Sequence, residues 1–432
     1  MRTMPLLATA VLAVVIGPAI AAPPRDAKPP RSAIFLHPDG MGANTWAALR
    51  LHAVGPDGRL AWDRLPRLAI YVGPVLDSVS ASSNAGATTH AYGIRTKLDS
   101  YGTLDGRSPP RAASGERASV MREAQRAGKA IAIVNSSSVT EPGTGAFLAS
   151  VANRDDEFEI AVQILAAKPD IVLGGGERFF LPRGVHGAHG EGSREDGRDL
   201  VEEARKAGYA VVHTREALAA LPTNQRRVLG LFAHETTFNE ADEATLRAQG
   251  LAPFQPQAPR FDEMIAAALA RLERAEHGYL LVANEEATDN LSGENNAPGV
   301  FEAAAGADRA LALALAAAAK NPNLTVVVAS DSDNGGLNAT GDDLDELPRP
   351  LPATTANGAP LDSDEGEPFL AKPDRRGVRL PFYVTWASAD DMGGGTVARG
   401  TGPGAALIEG TIDSTEIYRV LYLGLFGRRI GD

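Results

Sequence analysis

Two kinds of stretch alternate along the chain. Short, nearly continuous apolar runs read as strands buried on both faces: "SAIFLHPDG" (32–40), "KAIAIVNSS" (129–137), "DIVLGGG" (170–176), "YAVVHT" (209–214), "RVLGLFA" (227–233), "GYLLVANE" (278–285), "LTVVVASDSD" (324–333) and "LPFYVTWAS" (380–388). Between them lie Ala-rich runs of helical spacing, at 116–127, 261–276 and 301–320. Strand, helix, strand in repetition predicts an α/β fold with a mainly parallel central sheet and helices on both faces. Ligands of such sheets bind beyond the carboxyl ends of the strands.

Those strand ends are acidic. "AIFLHPDGMG" ends in Asp39, "YLLVANEEATD" runs into Asn284, Glu285 and Asp289, "TVVVASDSDNGG" ends in Asp331 and Asp333, and "VTWASADDMGGG" ends in Asp390 and Asp391. A single Asp at a strand end reads as a helix cap or turn residue. Carboxylates from four strands at one edge repel one another and raise each other's pKa, so the pattern points to a bound cation.

Composition narrows the function classes. With 432 residues, 44% hydrophobic, the chain can bury a large core, and one domain over 22–432 is expected. The segment 338–376 is acidic and rich in Pro and Gly, and reads as a loop-rich surface insertion. A net charge of −12 offers no basic field for nucleic acid. The chain has no cysteine, which excludes disulfides and thiolate metal sites. At the N-terminus, Arg2, the apolar run from Leu6 to Ile16 and the Ala19-Ile20-Ala21 tripeptide have the form of a secretory signal over 1–21. The expectation is an exported protein, periplasmic or secreted, without a membrane anchor after cleavage.

In "ASSNAGATTHAYGIRTK" (81–97), small hydroxyls stand at a helix entrance, where backbone N–H groups and the helix dipole favour an anion. With "FLHPDGMG", "SVTEPGTGAFLASVANR", "DIVLGGGERFFLP" and "DNLSGENNAPGVFEAAAGADRAL", in that order, the chain resembles the alkaline phosphatases over roughly residues 30 to 425. The resemblance implies that family's fold. Counting back from Gly93-Ile94-Arg95-Thr96, similar to the family's Gly-Val-Lys-Thr, it places the nucleophilic serine on Ser83. It also puts Arg154 at the phosphate-gripping arginine, Asp39 and Asp289 at metal-binding aspartates and Glu141 at an outer-sphere metal position.

The same alignment puts Gly293, Ser332 and Asp391 where the family has zinc-binding histidines, and either Asn284 or Glu285 at the metal-binding glutamate. His37 and His90 lie close to motif residues and read as core or supporting histidines. The remaining donors are Asp39, Glu141, Asn284 or Glu285, Asp289, Asp331 and Asp391, with Asp333 nearby. They are hard oxygen ligands that suit magnesium first, then calcium or manganese, and zinc less than in the family. The expected activity is a metal-dependent phosphomonoesterase acting on small phosphate monoesters through a phosphoserine on Ser83. The alternative is an inactive family member that binds phosphate or a phosphorylated ligand. The resemblance also suggests a homodimer.

Overall fold

A computed structural model describes residues 30–348 and 350–430; the expected signal segment 1–21 lies outside the described residues. Its centre is a ten-stranded sheet. In chain order the strands are β1 (Ser32–Pro38), β2 (Arg67–Val72), β3 (Ala130–Ser138), β4 (Ile171–Gly175), β5 (Ala210–Val212), β6 (Val228–Leu231), β7 (Tyr279–Glu285), β8 (Leu324–Val328), β9 (Val397–Thr401) and β10 (Gly410–Asp413). Across the sheet they run β10-β2-β9-β8-β1-β7-β3-β4-β6-β5. All neighbours are parallel except β9, which is antiparallel to both β2 and β8.

Alternation along β1 divides the core. Ile34 and Leu36 face a cluster built with Phe261, Met264 and Ile265 of the helix Phe261–Leu272 and with Val300, Phe301 and Leu311 of the helix Ala297–Lys320. Ala33 and Phe35 face the other side, against Val120, Ile160, Ile164, Tyr418 and Leu421. Each face is therefore sealed by helices, and the polar groups at the strand ends find open space only at the sheet's edges. Capping fixes where the helices begin: Asn296 accepts from Gly299 N at 2.8 Å, and Ser119 accepts from Arg122 N at 3.2 Å.

One predicted strand lies elsewhere. Pro381–Thr385, within the apolar run 380–388, pairs antiparallel with Asn338–Gly341, Leu361–Asp362 and Phe369–Leu370. The insertion is thus tied down by a small sheet, and Phe369 is buried against Phe301 and Phe382 at ring separations of 5.6 and 5.4 Å. Its place in the main sheet is taken by β2, β9 and β10. β9 (VARGT) and β10 (GTID) carry no continuous apolar run, and β2, though apolar from Leu68 to Val72, lies toward one end of the sheet with one face open: Ala69 and Tyr71 are buried while Leu68 and Ile70 are exposed.

Candidate active site

β1, β7 and β8 are neighbours, and the residues leaving their carboxyl ends meet at one edge. Asp39 follows β1, Asn284 is the penultimate residue of β7, and Asp331 follows β8; all three are buried. The turn after β1 needs Gly40, whose φ is +62° and whose Cα is so close to Asp289 that an added Cβ would lie 2.4 Å from Oδ1. Asp289 itself sits in the helix Ala287–Gly293 directly after β7. Asn284 Nδ2 donates to Asp39 Oδ2 at 3.4 Å and also to Glu286. His37 Nε2 lies 3.7 Å from Asp39 Oδ1 and 3.6 Å from Asp331 Oδ1.

Ser83 is the first residue of the helix Ser83–Tyr92 and is 8% exposed. Ser82 caps that helix, its Oγ accepting from Ala85 N at 3.4 Å and donating to the Leu98 carbonyl at 2.5 Å. Ser83 and Gly86 are three residues apart and share a helix face. A Cβ at Gly86 would lie 2.3 Å from Asp331 Oδ2, so only glycine lets the first turn approach that carboxylate. The N-terminus carrying Ser83 is thereby pressed against the acidic edge.

Glu141 and Arg154 complete the arrangement. Arg154 Nη2 donates to Glu141 Oε2 at 2.8 Å, and the arginine side chain keeps 43% of its surface exposed. One edge of the guanidinium is held by Glu141 while the rest remains accessible to an anion. Asp391 does not come from a main-sheet strand. Asp391–Met392 pairs antiparallel with Asp333–Asn334, and Ser332 Oγ donates to Asp391 Oδ1 at 2.6 Å.

Electrostatics show how heavily charged this edge is. Burial, then the charge of Asp331, push the Asp39 carboxyl up to about 8. Burial, then Asp39, hold Asp289 and Glu286 well above the usual carboxylate range. Burial raises Asp333 to about 6; burial, with Asp39 adding to it, raises Asp391 to about 6. Several oxygens here are buried without a hydrogen-bond partner, among them Asp289 Oδ1, both oxygens of Asp331, Asp333 Oδ1 and Asn284 Oδ1. Orphaned, mutually repelling oxygen donors fit a divalent cation of hard character.

The structure therefore gathers Asp39, Asn284, Asp289, Asp331 and Asp391, with Glu141 and Arg154 beside them. Glu285 is not in this group. Its carboxylate points to the opposite side of the sheet, toward the helix Ala297–Lys320, where a Cβ on Gly306 would be 3.5 Å from Oε2. Glu286 enters instead, reached by Asn284 and by the charges of Asp39, Glu141 and Asp289. Strand alternation separates Asn284 from Glu285 along β7, and Glu286 lies just past the strand, where the backbone turns into the helix Ala287–Gly293. His37, expected as a core or supporting residue, lies near the end of β1, two residues before Asp39, and sits between two carboxylates.

Comparison with known proteins places the chain in a family. The family model described as alkaline phosphatase matches residues 31–359. The chain belongs to the alkaline phosphatase family. Among curated relatives of this family member, the tissue-nonspecific isozyme of Gallus gallus is 27% identical over 318 residues, 65% of this chain and 59% of the relative. Streptomycin-6-phosphate phosphatase of Streptomyces griseus is 32% identical over 256 residues, 53% of this chain and 54% of the relative. The matched part is thus little more than half the length of these relatives. Among solved structures, the alkaline phosphatase of Thermus thermophilus superposes with a TM-score of 0.71 at 24% identity, covering 95% of this chain and 96% of that one. The enzyme of the Antarctic bacterium TAB5 gives 0.68 at 19% identity, covering 92% and 98%. These two likenesses show that the fold is shared.

The three positions assigned to missing histidines lie close together. Ser332 is bonded to Asp391, whose backbone pairs with Asn334, and a Cβ on Gly293 would sit 3.7 Å from Asn334 Nδ2. Gly293 has room around it: the other nearest atom is the Ala389 carbonyl oxygen, also at 3.7 Å. In this chain the region is furnished with hydroxyl, amide and carboxylate groups.

Proposed function

We propose that the protein is a divalent-metal-dependent phosphomonoesterase that works through a phosphoserine on Ser83. The observation that carries this reading is the helix N-terminus bearing Ser83, held against a buried set of unpartnered carboxylates with a half-exposed arginine alongside. Asp39, Asp289, Asp331 and Asp391, with Asn284, Glu286 and His37, would hold the cation. Glu141 would act at the outer edge. When bound, a cation of this kind neutralises the carboxylates and lowers the pKa of an alcohol beside it.

The chain's own groups account for the rest. Arg154 grips two non-bridging phosphate oxygens with its fork, and the first-turn N–H groups of the Ser83 helix orient the phosphoryl group. Ser83 Oγ forms the new P–O bond as the substrate's alkoxy oxygen leaves and takes up a proton, giving phosphoserine and the free alcohol. Water then cleaves that ester, returning the serine hydroxyl and inorganic phosphate. Small monoesters fit the reading, because the cluster recognises the phosphoryl group itself.

The hard character of the donors favours magnesium, with calcium or manganese next. A variant of the TAB5 enzyme with aspartate in place of a histidine is described with magnesium in its M3 site. The test is a metal-by-metal screen of stripped protein on an aryl phosphate. Magnesium, manganese or calcium should restore turnover, and zinc should serve no better. Phosphate binding through Arg154 with no turnover under any metal would instead mark a binding protein. Export belongs to the same proposal: N-terminal sequencing of protein from its host should begin at Ala22, and retention of Met1 would contradict it.

A further inference from the structure

A second group of metal-ligating side chains stands at the same sheet edge but away from Ser83. Glu177 follows β4, and His213 follows β5. His189 is carried by the loop 183–192, which folds over them through bridges at Arg183 with Gly192 and His186 with Glu191. Three strand spacings separate β1 from β4, so this group lies about 14 Å along the edge from Asp39. One potential ligand atom from each of Glu177, His189 and His213 falls within 4.8 Å of the others.

The local bonding orients all three groups. His189 Nε2 lies 2.9 Å from the His213 carbonyl oxygen and 3.1 Å from that of Leu231, so Nε2 carries the proton and Nδ1 keeps a lone pair. A second ring nitrogen donating to a backbone carbonyl is the usual way a metal-binding histidine is oriented. Glu177 is 1% exposed and accepts from the backbone N–H groups of Ala188 at 3.0 Å and His189 at 2.6 Å, which fixes its carboxylate. His213 Nδ1 is 3.0 Å from Glu177 Oε1. Two ligand atoms on one tetrahedral zinc stand about 3.3 Å apart, given bonds of about 2.05 Å. His234, next to this loop, adds a further Nδ1 that is buried without a hydrogen-bond partner. An open cleft lined by His189, His234, Glu235 and Asn239 gives a path in from solvent.

We infer that Glu177, His189 and His213 form a binding site for a single transition-metal cation, zinc above all, which fastens the loop 183–192 to the ends of β4 and β5. Two imidazoles and a carboxylate suit zinc, whereas the Ser83 cluster is rich in oxygen donors and suits harder ions. The two sites divide the metals by ligand chemistry. This site does not depend on the phosphatase reading.

The test uses the full protein, stripped and then reloaded with zinc in the presence of excess magnesium. Elemental analysis should find about one zinc per chain fewer in the double variant His189→Gln with His213→Gln than in the wild type. The double variant Asp39→Asn with Asp331→Asn should keep that zinc, because only the other cluster is changed. Both histidines are partly exposed, so the glutamines are tolerable, and circular dichroism checks the fold. Anomalous scattering at the zinc edge from wild-type crystals gives an answer that needs no variant: a peak within bonding distance of Glu177, His189 and His213 is expected. Equal zinc content in wild type and histidine variant, or an anomalous map with no peak at these three residues, overturns the inference and leaves a His213–Glu177 contact.

Discussion

His37 reaches from β1 toward the end of β8, its Nε2 3.6 Å from Asp331 Oδ1, with both side chains withdrawn from solvent. A buried imidazole set between Asp39 and Asp331 either ligates a cation there or holds both carboxylates in place for one. Behind it, His90 packs edge-on at 5.3 Å and is in turn bonded to the Tyr71 hydroxyl at 2.8 Å, so the ring has little freedom to turn away. Replacing His37 by Gln should weaken magnesium binding about 10- to 100-fold while leaving the far-ultraviolet circular dichroism unchanged. Calorimetric titration of stripped protein reads this directly. An unchanged affinity would reduce His37 to packing.

Glu285 and Glu286 are adjacent in sequence and opposite in environment. Glu286→Gln should impair both cation binding and turnover, since it removes a charge that Asn284 links to Asp39. Glu285→Gln should leave cation affinity as it was, because that carboxylate lies across the sheet beside the helix Ala297–Lys320. Burial above all pushes Glu285 up to about 8, so its own effect should appear in stability. Loss of cation binding in the Glu285 variant and not in the Glu286 variant would reverse the assignment.

The raised carboxyls give metal-free protein a definite pH dependence. Asp39 moves from 3.8 to about 8, and Asp333 and Asp391 from 3.8 to about 6. With folded values above unfolded ones, the native state holds more protons in this interval, and stability falls as pH rises. Stripped protein should therefore melt progressively lower from about pH 5 to about pH 8, with each tenfold gain in a carboxylate's proton affinity on folding worth about 1.4 kcal/mol. Saturating magnesium should flatten the slope, although Glu285 keeps its share. Thermal melts across that range, with and without cation, supply the check; a melting temperature that climbs with pH in stripped protein would show that burial and neighbouring charge do not raise these carboxyls.

How far these features are legible in the chain follows from their physics. The central parallel strands can be read because burial on both faces writes a continuous apolar run, as in "AIAIV" of β3 and "TVVV" of β8. β9 cannot, since Arg399 and Gly400 interrupt its apolar residues, and the apolar run of β2 from Leu68 to Val72 is not among the expected strands although it has the same form. In the site, Ser83, Asp39, Asp289 and Asp331 stand at recognisable strand or helix ends. His37 depends on strand alternation and register, and Glu286 on how the backbone turns from β7 into the helix Ala287–Gly293. The pairing of His37 with Asn284 across β1 and β7 is a fact of three dimensions.

Covalent capture of Ser83 tests the central claim most directly. Protein loaded with magnesium, mixed with an aryl phosphate and quenched in acid, should show by intact mass the gain of one phosphoryl group, mapped by peptide analysis to Ser83. Ser83→Ala should show no gain and no turnover. Arg154→Ala should still be labelled, but about 10- to 100-fold more slowly, since a charge-assisted clamp contributes about 1.5–3 kcal/mol. Turnover at the wild-type rate in Ser83→Ala, or a phosphoryl group found on another residue, would contradict the account.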